Sequence, residues 1–232
     1  MAGSAAWEPP QKEGFHLHQY CSSDWTDNGL SYSTDISEHM IEAAREVCNQ
    51  DGFNFFVCKA EEIPEPEKKY DIVTAAGVIQ WIEQEKFLKN LYKIISNSGV
   101  LIIYDFWITD RMIGTDEYTD WWNHKYLKKF PRPTRNDKEW TQDEVEKYGF
   151  SFTKKMNFEI KVPFNKESFI KFMMIQSNVN AKIEACEISD KEAEIFFRES
   201  LETIFDRESK TIMFQGYRCY IHKHDKDICI EE

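Results

Sequence analysis

The stretch YDIVTAAGVIQWIEQEKFLKNLYKIISNSGVLIIYDFW, residues 70–107, decides the fold. Tyr70 to Val78 is a near-continuous apolar run, the pattern of a strand buried on both faces. In the next segment Phe87, Leu88, Leu91, Ile94 and Ile95 fall along one helical stripe. Asn97-Ser98-Gly99 reads as a turn, and Val100 to Trp107 as a second apolar strand. Two strands joined through a helix are most simply parallel, because the crossover returns the chain to the same end of the sheet.

The same rhythm extends upstream. Residues 30–34 (LSYST) predict a short strand that ends at Asp35. Ser37 is a good helix cap, with Glu38 in the positive first turn. Met40, Ile41, Ala44, Val47 and Cys48 supply an apolar face, and Gly52 stops the helix. FNFFVCKA (53–60) is rich in strand formers and runs into the polar loop AEEIPEPEKK. Strands alternating with helices predict an α/β fold with a mostly parallel sheet, whose ligands sit at the carboxyl ends of the strands. Those ends carry Asp35, Ala60-Glu61, Ala76-Gly77 and Asp105.

Downstream, residues 108–140 are aromatic and polar without a clean period, which reads as a long loop of the lid type. Thr141 and Glu144 form a capping-box pair before a short helix that Gly149 stops. Residues 152–162 alternate as a strand with one wet face. NKESFIKFMMIQSNVNAKIEA and SDKEAEIFFRESLETIF predict two amphipathic helices capped by Asn165 and Ser189. TIMFQGYRCYIHKH closes the chain as a strand, in which Gly216 marks a bulge or a close approach. Pairing of 152–162 with 211–222 gives the sheet an antiparallel edge. Residues 1–28 show no sustained period, apart from a possible short strand in FHLHQY.

With 41% apolar and 30% charged residues in 232, the composition is that of a globular protein. The net charge of −12 excludes a nucleic-acid partner held through phosphates. The six cysteines lack paired spacings, so buried thiols in a reducing cytoplasm are expected, rather than disulfides or a metal site. No apolar run reaches the length of a membrane span, and the first residues do not read as a secretory signal.

These residues, in this order, resemble the class I S-adenosylmethionine-dependent methyltransferases, and within them the branch with a type 11 methyltransferase domain that includes trans-aconitate methyltransferase-like proteins. STDISEHMIEAAR looks like the family's second strand and helix, and CKAEEIP like its third strand and the loop against adenine. Residues 70–107 look like its fourth strand, helix and fifth strand; EKYGFSF and GYRCYIHKH look like its closing elements. The likeness covers about residues 30–225. It implies a Rossmann-like sheet (core 29–107, 141–162 and 211–225), a helical and aromatic cap (108–140 and 164–208), and an irregular lead over 1–28.

It also implies S-adenosylmethionine as cofactor and methyl transfer to a small molecule. Asp35 would take both ribose hydroxyls, Ile36 and Met40 would pack near adenine, and Ala60 and Glu61 would flank its ring and amino group. Ala76 and Gly77 would pass the methionine part. Many relatives carry histidine-tryptophan where this chain has Gln80-Trp81, so no general base is expected there. Trp107, Trp121 and Trp122, with Tyr118, Tyr126 and Phe130, either wall a substrate pocket or anchor their segment to the sheet. Arg132 and Arg135 would suit an acidic acceptor.

The chain departs from the family at its start. The family's first strand, which is the central one, ends in an acid and a run of glycines that bring backbone amides against the cofactor. Residues 1–34 hold only Gly3, Gly14 and Gly29. The sequence therefore reads as a methyltransferase that begins partway through its fold behind an unrelated lead. The alternative is a truncated or degenerate relative that binds cofactor weakly or not at all and acts as a binding module.

Overall fold

The computed structural model describes residues 31–48, 51–132, 140–206 and 209–224. They divide into two compact units. The first holds the described residues of 31–107, 140–159 and 214–224; the second those of 108–132 and 160–213.

In the first unit, β1 (Ser31–Asp35) and β2 (Phe53–Val57) pair in parallel through α1 (Glu38–Val47). Ser37 caps α1 by accepting from the Met40 N–H. Ile41 and Cys48 bury against Phe55, with Ala44 beside them. Val47, expected on that face, is 88% exposed. The helical period explains this, since one residue advances about 100°, so Val47 points well away from Cys48.

β3 (Tyr70–Ala76) leads through a short turn and α2 (Gln84–Ile94) into β4 (Ile95–Met112), and β3 and β4 are parallel. Phe87, Leu88, Leu91 and Ile94 of α2 bury against Leu101 and Ile103 of β4 and Ile221 further on. Each fully buried side chain of this size contributes roughly 1.5–3 kcal/mol. The Glu61 carboxylate accepts the Glu83 N–H at the start of α2 (2.7 Å). Lys223 donates to the carbonyls of Tyr92 and Ile95 at its end, where a cation complements the helix dipole.

Two expectations for this region change. Asn97-Ser98-Gly99 is not a turn between elements. Tyr70 pairs with Ile95 and Ile72 with Val100, so the segment is an irregularity inside β4, and the strand is longer than 100–107. Nor is β3 buried on both faces. Ile72 on it is 41% exposed.

α5 (Gln142–Glu146) carries the expected capping box of Thr141 and Glu144. β5 (Phe150–Phe164) and β6 (Lys210–Lys223) complete the sheet. Thr153 bonds to the Tyr220 carbonyl and Gln215 to Glu159, so residue numbers rise along one strand as they fall along the other. β5 and β6 are therefore antiparallel, as are β6 and β4, where Ile113 bonds to Thr211 and Thr109 to Met213. Among the described strands the hydrogen-bonded orders are β1-β2 and β3-β4-β6-β5, which carries the expected mostly parallel sheet with an antiparallel edge.

In the second unit, residues 108–130 overturn the expectation of an irregular loop. β4 runs on to Met112, and α3 (Glu117–Trp121), a π-helical turn (Trp122–Tyr126) and α4 (Leu127–Lys129) follow without a break. Tyr118, Trp121, Trp122, Tyr126 and Phe130 are buried and in ring contact with one another and with Phe169 and Phe197. The segment expected as one helix after Asn165 is two, α6 (Lys166–Met174) and α7 (Ser177–Glu184). The break falls at Gln176, where the backbone is extended. α8 (Asp190–Ser200) begins at Ser189 with a capping box to Glu192.

Candidate functional site

The expected cofactor residues lie at the carboxyl ends of β1 and β3 and just beyond β2, all in the first unit. Asp35 closes β1, and its carbonyl accepts from Cys58, which ties the ends of β1 and β2 together (2.9 Å). Its Oδ1 accepts the Ser37 N–H (2.8 Å). Among the described residues no hydrogen bond reaches Oδ2. The acid therefore serves the helix start with one oxygen and presents the other at the strand end. Ile36 is exposed beside it, and Met40 lies half-buried on the first turn of α1.

Ala60 and Glu61 sit in a single 3-10 turn, Ala60–Glu62. Glu61 is already engaged at the start of α2, as described above. Tyr32 of β1 and Tyr70 of β3 meet edge to face with ring centroids 5.6 Å apart, so the beginnings of the two strands are neighbours. Burial, and then Tyr32 itself, pushes the Tyr70 phenol above its ordinary pKa.

Ala76 ends β3 and Gly77 turns the chain with φ of +61°, a conformation that L side chains rarely adopt. The Gly77 N–H donates to the Tyr104 carbonyl and its own carbonyl accepts from Gln80 Nε2 (3.1 Å). A Cβ at Gly77 would stand 3.4 Å from Oδ1 of Asp105. Gln80 and Trp81 form the 3-10 turn that follows. Trp81 is 59% exposed. Trp107 is 43% exposed and meets Tyr217 at 6.3 Å between centroids.

The other candidates belong to the second unit. Trp121 and Trp122 are 2% and 3% exposed, inside the aromatic cluster. Trp121 Nε1 donates to Ser200, which satisfies its buried polar atom. These two rings anchor their segment; they do not wall an open pocket. Asn178 is also structural: it is buried, accepts from the Tyr126 hydroxyl (2.9 Å) and donates to the Phe130 carbonyl (2.7 Å). Arg132 is exposed, and Arg135 lies outside the described residues. So do residues 1–30, with FHLHQY and the position where the family carries its glycine turn.

The residues present suit the ribose end of S-adenosylmethionine. A carboxylate closes one parallel strand with an oxygen that no described group occupies, and a glycine with positive φ closes another. Asp105 is the site residue that the strand-end reading placed but to which the family likeness gave no role.

Comparison with known proteins bears on the same region. A methyltransferase domain family matches residues 18–103. The match begins at residue 18, inside the segment 1–28 that the sequence reading set apart as a lead. A ubiquinone/menaquinone biosynthesis C-methyltransferase from Psychromonas ingrahamii is 24% identical over 110 residues, 45% of this chain and 43% of that one. A malonyl-[acyl-carrier protein] O-methyltransferase from Ilyobacter polytropus is 32% identical over 73 residues, 31% of this chain and 27% of that one. The chain thus spans less than half the length of the curated relatives it matches. Among solved structures, a candidate type II methyltransferase from Anaeromyxobacter dehalogenans superposes with a TM-score of 0.60 at 16% identity, covering 84% of this chain and 80% of that one. That likeness shows the Rossmann-like α/β fold. The family match and the shared fold agree: residues 18–103 are similar to a methyltransferase domain, and the described residues share the Rossmann-like α/β fold of a methyltransferase structure.

Proposed function

We propose that this chain binds S-adenosylmethionine and takes part in transferring its methyl group to a small-molecule acceptor in a reducing cytoplasm. The observation that carries the reading is Asp35, a carboxylate at the end of a parallel strand with Oδ2 left open among the described residues. Asp35 would hold the ribose through that oxygen, while the Ser37 N–H fixes its rotamer. Ile36 offers an exposed apolar side chain for the adenine. Gly77, lacking a side chain, lets the methionine part pass close to the end of β3.

The cofactor supplies an activated methyl group on a sulfonium, and in-line displacement from it needs alignment and exclusion of water more than an acid or a base. Gln80 fits that view, since its amide is spent on the Gly77 carbonyl and steadies the turn. The thiols of Cys48, Cys58, Cys186 and Cys219 form no disulfide, which suits a reducing compartment. No helix among the described residues is long and apolar enough to cross a membrane.

Calorimetric titration with S-adenosylhomocysteine tests the proposal. Saturable binding well below about 1 mM is expected. Absence of heat at millimolar ligand, with the protein folded, would overturn it.

A further inference from the structure

We propose that the exposed basic face of the helical segment after Trp121 is a docking surface for an acidic protein partner, one that presents carboxylates along a helix. The inference concerns the second unit alone and does not depend on the methyltransferase reading.

Charge along this segment is one-sided. The chain holds 41 acidic and 29 basic residues, yet residues 121–132 carry Lys125, Lys128, Lys129 and Arg132, with His124, and no acid. His124 and Lys128, Lys125 and Lys129, and Lys128 and Arg132 each stand four residues apart. Like charges at that spacing destabilise a helix. A helix C-terminus favours cations, but the row extends to Arg132, beyond the end of α4 at Lys129.

The buried side of the segment holds this face outward. Trp122, Tyr126 and Phe130 also stand four apart and are 3%, 2% and 0% exposed. With that side turned into the protein, Lys125, Lys128 and Arg132 are exposed. Arg132 is close enough to the Tyr126 hydroxyl for its charge to act there, which keeps it beside the helix although it follows the last turn.

Lysines elsewhere in the chain are paired with acids: Lys59 with Glu62, Lys86 with Glu83, Lys89 with Glu85 and Lys182 with Glu187. Among the described residues Lys125, Lys128 and Arg132 form no ion pair. Their neighbours are engaged. His124 meets Asp120 (2.9 Å), and Lys129 lies over the Phe196 ring (4.6 Å) within reach of Glu192 of α8.

The kind of partner follows from what the surface lacks. A helix that lies on a bilayer sinks its apolar side into the lipid, and here that side is packed inside the protein. A site for a small anion needs fixed donors, whereas no described neighbour pairs with these three cations. Nucleic acid is opposed by the net charge of −12. Beyond about 8–10 Å the remaining acids of the chain are screened at physiological salt, so a local row of cations keeps its own field. Such a row steers and orients a matching row of carboxylates. Acids at i and i+4 of a partner helix repeat with the same spacing.

A labelled oligo-glutamate peptide is the probe, followed by fluorescence anisotropy with the full chain, and oligo-glutamine is its uncharged counterpart. Saturable binding that weakens as salt rises is expected for the first and not for the second. The amide signals of Lys125, Lys128 and Arg132 are expected to shift in NMR spectra. The triple variant Lys125→Gln, Lys128→Gln, Arg132→Gln is expected to weaken binding at least tenfold. A control triple, Lys154→Gln, Lys161→Gln, Arg218→Gln, removes the same charge from exposed positions on β5 and β6 and is expected to leave it largely unchanged. Lys128→Glu alone is expected to weaken it as well and provides a further variant should the first triple fail to fold.

No saturable binding at low salt, or equal weakening by the two triple variants, overturns the surface. Tighter binding to phosphatidylserine vesicles than to the peptide, lost in the first triple variant, assigns the face to a lipid surface and overturns the protein partner. Displacement of the peptide by free succinate at comparable concentration assigns the cations to a small acid and overturns it likewise. Peptide binding by a chain that binds no S-adenosylhomocysteine supports the surface while the methyltransferase reading fails.

Discussion

The ring of Phe158 lies so close to Gly216 that a Cβ on the glycine would stand 2.5 Å from its Cζ and 2.6 Å from the carbonyl oxygen of Asp105. A side chain at this point of β6 would push against a ring on β5 and the backbone of β4 at once. Gly216→Ala is therefore expected to destabilise the protein by about 2 kcal/mol, roughly 4–8 °C in Tm. Phe158→Leu in the same chain would recover only part of the loss, because the Asp105 carbonyl cannot retreat. Thermal unfolding of the single and double variants checks both statements. An unchanged Tm for Gly216→Ala would show that the sheet accommodates a methyl group here.

Asn178 is a buried amide with two buried clients, the Tyr126 hydroxyl and the Phe130 carbonyl. Asn178→Leu fills similar volume but leaves both clients without this partner, at a cost of about 2–4 kcal/mol. Adding Tyr126→Phe removes one stranded group and is expected to return about 1 kcal/mol. Urea unfolding of the two variants measures the coupling. Strict additivity would mean that the hydrogen bond contributes nothing.

High pH is expected to weaken the same cluster. Burial pushes the Tyr126 phenol up to about 12, opposed in part by its bond to Asn178, and burial also raises Tyr118 well above its ordinary value. In the unfolded chain both titrate near 10. Below pH ~10 neither state loses the protons and the contribution is complete. Between ~10 and ~12 the unfolded chain ionises first, so stability falls by roughly 1.4 kcal/mol per pH unit for each tyrosine. Unfolding free energies at intervals from pH 9 to 11, compared with Tyr126→Phe, test this: the variant is expected to show the shallower decline.

The parts of the fold that sequence made legible are those with a strong local period. Phe87, Leu88, Leu91 and Ile94 repeat on one face, and they are the side chains buried in α2. Ser37, Thr141, Asn165 and Ser189 are caps by residue type and act as caps. The helical run after residue 116 escaped although its signal was present: residues 118, 121, 122, 126 and 130 fall at i, i+3, i+4, i+8 and i+12, a helical stripe written in aromatic residues. Aromatic character suggested a pocket wall and masked the period. Which described strands pair with which was not legible, because strand neighbours are set by long-range contacts that no local pattern encodes. For the site, acids and glycines at strand ends were the useful signal. They placed Asp35, Gly77 and Asp105, whereas tryptophans singled out by type alone divided into exposed (Trp81, Trp107) and core (Trp121, Trp122).

Asp35 combines a structural and a functional duty, and one substitution separates them. Asn at this position keeps a side-chain oxygen for the Ser37 N–H, so the start of α1 retains its partner and Tm should move little. It exchanges the second oxygen for an amide that donates where a ribose hydroxyl must be accepted. Affinity for S-adenosylhomocysteine is expected to fall by about tenfold to a hundredfold, the cost of a lost hydrogen bond to a charged group. Asp35→Ala should lose both, with about 1 kcal/mol of stability gone as well. If Asp35→Asn binds S-adenosylhomocysteine as the unaltered chain does, the carboxylate serves only the helix, and the ribose must be held elsewhere.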